Sequence, residues 1–309
     1  MRCTAMVCVL LAAPVAAATA AELPLMGLAH VGIRVSDLER ARSFYSGVLG
    51  LENAFTTKKE DGSVFDTWFK VNDRQFIEIF PGLTSEDTIP MTHIAMWTED
   101  IEKTRQIMLG RGLAPTEIHV GARDHNLSFS LLQLPGQNLG FLEFAQYTPE
   151  SPHMLSEGKS LGARRLSTHL EHAGIITTDL DAALQFYVDR LGFKETWRRV
   201  NGDSKRVALI HLRMPGPSGD YVELSNLSGN ANLTRTRAGS AAHCSLEVPD
   251  IKTAYQATLD RGEIKDRKEP RFGLDLRWQF NLFDPDGTRV ELMQPRAKDT
   301  PLPPVAYAN

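Results

Sequence analysis

The chain has 309 residues, 42% of them hydrophobic, and a formal net charge of −4. That is enough apolar material for about two domains of ordinary size, and without a basic surplus nucleic acid is not an expected partner. Cys3 and Cys8 lie near the start and Cys244 stands alone afterwards, which excludes an internal disulfide framework and any CxxC or zinc-finger spacing.

The first element is an export signal. Arg2, an apolar stretch from Ala5 to Val15 and the small residues Ala18-Thr19-Ala20 follow the order of charge, apolar core and A-x-A site found in secretory signal peptides. The run is shorter than the roughly 20 residues that a bilayer span requires. Residues 1–21 are therefore expected to be removed. The mature chain is expected to be secreted or periplasmic, without a membrane partner, as a monomer or homodimer.

From Leu28, "LAHVGIRVSDLERARSFYSGVLGLE" reads as a strand, a helix opened by Asp37 and a stop at Gly50. Near Leu170 the chain repeats itself in "LEHAGIITTDLDAALQFYVDRLGFKE". At a constant offset of 142 residues His30 matches His172, Asp37 matches Asp179, Phe44-Tyr45 match Phe186-Tyr187 and Gly50 matches Gly192. A second pair repeats at an offset of 150. "MTHIAMWTEDIEKTRQIMLGRGL" from Met91 matches "AAHCSLEVPDIKTAYQATLDRGE" from Ala241, aligning His93 with His243, Asp100 with Asp250 and Gly112 with Gly262.

Each helix is followed by strand runs split by Asn-Asp, Pro-Gly or Asp-Gly turn signals. The plan is β-α-β-β-β, four times over. The expected organisation is an α+β chain with one double unit over 24–148, a linker over 149–167 and a second double unit over 168–296. A loose tail is expected over 297–309.

Side chains alternate across a strand. In the first strand Ala29, Val31, Ile33 and Val35 make an apolar face for the helix, which leaves His30 and Arg34 on the other face. The same parity turns His93, His172 and His243 away from their helices. The closing strand of each unit places one carboxylate among apolar residues: Glu78 in "FIEIF", Glu143 in "FLEF", Glu223 in "YVEL" and Glu291 in "RVEL". Such a carboxylate is costly to bury unless it is paired or bound to a cation.

The four units resemble the vicinal oxygen chelate superfamily of glyoxalase I, bleomycin-resistance proteins and extradiol dioxygenases, and the resemblance covers nearly the whole mature chain. It implies two cupped mixed sheets, each built from two βαβββ modules around a divalent metal. One cup would use His30, Glu78, His93 and Glu143, and the other His172, Glu223, His243 and Glu291. The His, Glu, His, Glu order is most similar to glyoxalase I. Two imidazoles and two carboxylates suit Zn, Ni, Co, Mn or Fe(II).

The resemblance implies a lyase or isomerase acting on a small oxygen-chelating substrate through an enediolate-type intermediate, with Glu143 or Glu291 moving the proton. Glutathione is chiefly a cytosolic thiol, so an exported enzyme would take another substrate. The first alternative is an extradiol dioxygenase with Fe(II) at His172, His243 and Glu291. "FDPDGTRVE" resembles the end of that family's signature, but Asn281 stands where the signature has Tyr, and "RFGLDLRW" lacks its His. The second is a binding or resistance protein without catalysis. Arg34 either grips a substrate anion or ends in a salt bridge. His169 reads as strand-end surface, His153 as linker, His119 and His125 as loop residues with His125 also in possible reach of a cup mouth, and His211 as lining the second cup or capping a strand. Cys244 reads as a core residue.

Overall fold

The computed structural model describes residues 21–229, 233–262, 268–297 and 300–308. All but the last residue of the expected signal lies outside the described residues. No helix among them is long and apolar enough to cross a membrane.

The first unit runs β1 (Leu25–Val35), α1 (Leu38–Arg42), β2 (Glu52–Lys58), β3 (Val64–Lys70) and β4 (Phe76–Pro81). The second runs β5 (Met91–Thr98), α2 (Ile101–Gly110), β6 (His119–Val120), β7 (Leu127–Leu131) and β8 (Phe141–Gln146). The linker forms one short helix, α3 (Pro152–Leu155). The third unit follows as β9 (His169–Thr177), α4 (Leu180–Leu184), β10 (Lys194–Asn201), β11 (Val207–Arg213) and β12 (Tyr221–Asn226). A further helix, α5 (Arg235–Ala241), precedes the fourth: β13 (His243–Glu247), α6 (Ile251–Asp260), β14 (Arg271–Phe272), β15 (Trp278–Phe283) and β16 (Arg289–Met293). Strand β17 (Val305–Ala308) closes the chain.

The helices start where the aspartates predict. The carboxylates of Asp37, Asp100, Asp179 and Asp250 each accept an orphan amide proton of the first turn. Gly50 and Gly192 take positive φ at +73° and +80°, as a helix-ending glycine does. One feature was not legible: α1 and α4 each continue into a π-helical turn, Ser43–Val48 and Gln185–Arg190. Those turns carry Phe44-Tyr45 and Phe186-Tyr187, and each tyrosine is fully buried.

The sheets settle how the units pair. The first sheet has the order β2-β3-β4-β1-β5-β8-β7-β6, and the second β14-β15-β16-β13-β9-β12-β11-β10-β17. Unit 1 therefore pairs with unit 2, and unit 3 with unit 4, through antiparallel seams β1/β5 and β9/β13. Flanking parallel pairs, β1/β4 and β9/β12, bring each opening strand beside its own closing strand.

The two double units meet by an approximate exchange of equivalent contacts. The Leu28 amide donates to Asp220 and the Leu170 amide donates to Gln75, at 2.8 Å each. Tyr45 donates to Asp284 at 3.2 Å and Tyr187 to Gln137 at 2.8 Å. The repeated tyrosines thus hold one double unit against a turn of the other.

One expectation is corrected here. The C-terminal stretch is not a loose tail: Val305–Ala308 adds in parallel to the free edge of β10, where main-chain hydrogen bonds hold it. The linker is also fastened. The fully buried Lys70 ammonium donates to the carbonyls of Ser156 and Lys159 and pairs with Asp73 at 2.7 Å.

Candidate metal centres

In the first sheet, β1, β4, β5 and β8 are neighbours, and their inward faces enclose a cavity of about 300 Å³, here cup 1. His30, Glu78, His93 and Glu143 all line it. The two imidazole Nε2 atoms are 2.9 Å apart. Glu78 Oε2 lies 3.5 and 3.2 Å from Nε2 of His30 and His93, and Glu143 Oε2 lies 3.4 and 3.5 Å from the same atoms. Donors held about 2.1 Å from one ion stand roughly 3.0–3.4 Å apart in octahedral or tetrahedral geometry.

Three further observations support the fit of a divalent ion. Gly32 is the cross-strand partner of His93, and a Cβ there would collide with the His93 ring, so the glycine is what lets the imidazole lie over β1. His93 Nδ1 has the Thr92 hydroxyl at 3.0 Å and keeps Nε2 toward the cup, the outer-shell arrangement of metal-ligating histidines. Glu78 Oε2 is buried without a hydrogen-bond partner.

The electrostatics of cup 1 are those of crowded carboxylates. Burial, reinforced by Asp66 and Glu143, pushes Glu78 well above the usual carboxylate range. Burial acts the same way on Glu143, but hydrogen bonding and charge from His30, with help from His93 and Ser128, win and bring it down to about 2. Burial and the neighbouring His30 lower His93 to about 3.

Cup 2 repeats this plan in the second sheet around a larger cavity of about 590 Å³. Nε2 of His172 and His243 are 3.1 Å apart, and Glu291 Oε2 lies 3.4 and 3.6 Å from them. Gly174 makes room for His243 as Gly32 does for His93. Both His30-Glu78-His93 and His172-His243-Glu291 are groups able to hold a divalent ion.

The fourth donor separates the cups. Glu223 Oε1 is 3.8 Å from His243 Nε2, and its other oxygen is engaged by His211 at 3.1 Å. The Ala241 carbonyl can only accept, so the 3.0 Å contact assigns the proton to His243 Nδ1 and leaves Nε2 as the acceptor. Arg289 Nη2 lies 2.8 and 2.7 Å from Nδ1 and Nε2 of the same ring, so the guanidinium is pressed against the imidazole without a directed bond to either nitrogen. Burial pushes Glu291 upward, but Arg289 and then the two histidines hold it well below its ordinary value.

Two mixed sheets with convergent His and Glu at equivalent strands identify the chain. Models of the glyoxalase/bleomycin resistance protein/dioxygenase superfamily match residues 29–129 and 169–292. The protein belongs to this superfamily. A search of curated proteins found no match. Among solved structures the superfamily protein is similar to homoprotocatechuate 2,3-dioxygenase from Brevibacterium fuscum, with 18% identity, TM-score 0.66, and coverage of 94% of this chain and 88% of that one. It is also similar to the 2,3-dioxygenase LapB from Pseudomonas sp. KL28, with 18% identity, TM-score 0.67, and coverage of 93% and 99%. At that identity the likeness is one of fold.

The remaining candidates fall as follows in this superfamily chain. Arg34, four residues beyond His30, is not among the residues lining cup 1; its guanidinium lies 3.9 Å from Asp87 at the strand end, the salt-bridge alternative of its two readings. His125 is an exposed loop residue and His119 reaches the rim of cup 1. His169 is not free surface: it pairs with Asp220 at 2.7 Å and approaches Glu247, and these partners overcome burial to raise it to about 10. Cys244 is buried, which pushes its thiol up to about 12 and makes it unreactive.

His153 was read as linker, and its place was missed. It is fully buried beneath cup 1, edge-on to Trp68 at 4.5 Å and stacked on Tyr147 at 4.7 Å, and Trp68 in turn packs edge-on against His30 at 4.8 Å. Only Pro152 at the first turn of α3, capped by Ser151, hinted at an ordered linker.

Proposed function

We propose that the protein is a divalent-metal-dependent lyase or isomerase of the glyoxalase kind, working in cup 1. The observation that carries the reading is that Glu78 and Glu143 each bring an oxygen within 3.2 to 3.5 Å of both the His30 and the His93 Nε2, around the ion-holding group His30-Glu78-His93. An ion held by His30, Glu78, His93 and Glu143 would polarise neighbouring oxygens of a small chelating substrate. Glu143 is the more open of the two carboxylates, 18% exposed against 6% for Glu78, and borders the cavity. It is the group to take a proton from a carbon beside a carbonyl and return it to the adjacent carbon. Trp68, backed by His153, packs against His30, and Phe141, stacked on His93 at 4.5 Å, shields that ring from water.

Two measurements test this. Metal analysis of the purified protein should find an ion that His30→Ala loses. With α-hydroxycarbonyl compounds in deuterated buffer, the native protein should exchange the proton beside the carbonyl, and Glu143→Gln should not. Unimpaired exchange in Glu143→Gln sinks the assignment. Export belongs to the same proposal, and periplasmic protein whose N-terminus begins near Ala21 is its expected mark.

A second reading, ring cleavage in cup 2, is favoured by the three-donor group His172-His243-Glu291, the kind of set that leaves coordination positions open. Asn281 faces Glu291 across the strand pair, and His211 is the additional imidazole in that cup. Oxygen uptake with catechols that is lost in His172→Ala but kept in His30→Ala would decide for it.

A further inference from the structure

The register of the two sheets allows cup-by-cup comparison at equivalent positions. Thr57 faces Asp66, two residues before Trp68; Arg199 faces Leu209, two residues before His211. His119 faces Ser128 where Arg271 faces Gln279. Phe141 precedes Glu143 by two residues as Arg289 precedes Glu291. Three positions that hold Thr57, His119 and Phe141 in cup 1 thus hold arginine in cup 2. Arg206 from the β10–β11 turn and Arg237 from α5 join them at the cavity.

The result is a reversal of charge. Among the described residues cup 1 is lined by Arg123 against Asp66, Glu78, Asp124 and Glu143, whereas cup 2 is lined by five arginines against Glu223, Asp275 and Glu291. Of those five arginines, Arg289 is the one in ion pairs with cup carboxylates, at 3.7 Å from Glu223 and 3.4 Å from Glu291. Arg206 is aimed by main-chain acceptors, the carbonyls of Asn226 and Ser228. Arg199 Nε is buried without a partner. Burial lowers the Arg199 pKa, Glu223 opposes this, and the nearby positive charges of Arg271 and Arg289 lower it further. Guanidinium groups gathered this way around a cavity are short of anions.

The rest of the wall is apolar, with Trp197, Leu209, Leu227 and Phe272. About 590 Å³ is room for a small organic molecule. We propose that cup 2 binds an organic anion: a carboxylate or phosphate ester whose charged head meets Arg199, Arg237 and Arg271 while its apolar body lies on Trp197 and Leu209. This inference is independent of the chemistry assigned to cup 1, and failure of either leaves the other standing.

Calorimetry on the metal-loaded protein tests it with three probes: phenylacetate, phenyl phosphate and the neutral phenylacetamide. The acids should bind at least about tenfold more tightly than the amide, and high salt should weaken them. Arg237 and Arg271 are exposed, so Arg237→Gln/Arg271→Gln should fold normally and lose about tenfold in affinity. Arg199→Gln should do the same, and Arg123→Gln in cup 1 should change nothing. Preference for phenyl phosphate assigns the head group to phosphate, and the reverse order assigns it to carboxylate. Equal binding of acid and amide, or native affinity in Arg237→Gln/Arg271→Gln, overturns the proposal.

Discussion

Cup 1 and cup 2 are built from the same strands in the same order, with a histidine on each opening strand, a glutamate on each closing strand and a glycine where the second histidine must lie flat. They differ in what surrounds that frame. In cup 1 Phe141 stacks on His93 and Trp68 lies against His30. In cup 2 the Arg289 guanidinium presses against the His243 ring, and His211 engages Glu223. The backbone fixes where four donors point. The neighbouring side chains decide how well those donors can hold a cation, because a guanidinium pressed against a ligating imidazole repels a second positive charge.

The largest expected effect is in cup 1. His30→Ala should cost more than about 100-fold in metal affinity, beyond the 10–100-fold that loss of an outer-shell partner brings. Metal content after dialysis checks this, with His172→Ala as the comparison; equal losses in the two variants would erase the distinction between the cups. Next, Arg289→Phe copies the cup 1 residue into cup 2 and removes the positive charge lying against His243. It should raise metal affinity there about tenfold, the equivalent of ~1.4 kcal/mol. An unchanged titration would show that Arg289 does not compete.

The pH dependence of stability separates the sheets further. His169, beside Asp220 at the junction of the double units, has its folded value raised from 6.5 to about 10. A raised folded value stabilises the fold fully below about pH 6.5 and loses that contribution as the pH climbs through 10. Denaturant midpoints of the native protein should therefore fall over this window relative to His169→Gln, and parallel curves would refute it. A further contrast lies at the docking tyrosines. Tyr45→Phe removes a bond to a carboxylate, worth about 1.5–3 kcal/mol when that group is charged, and Tyr187→Phe one to a neutral amide, worth about 0.5–1.5. Burial raises Asp284 to about 6, so the gap between the two variants should narrow below that pH in thermal melts.

Much of the frame was legible before any coordinates. Offsets of 142 and 150 fixed four units, alternation turned His30, His93, His172 and His243 away from their helices, and the four aspartates marked the helix starts. These are local statements, since a strand's parity and a helix cap are set within a few residues. Arg289 shared its face with Glu291 and was still passed over, because parity gives a side chain's face without its neighbour. The burial of His153 could not be read locally: its partners Phe55, Trp68 and Phe76 are far away in sequence.

The amino-acid order by itself determined the unit, its repeats and the inward face of the eight His and Glu side chains, because those follow from short-range periodicity and capping. Only the tertiary structure decided which units share a sheet, that the last strand docks on β10, and that in one cup both glutamates reach both histidines while the other gathers arginines. Those outcomes depend on cross-strand register and on packing between distant segments, which no local pattern encodes.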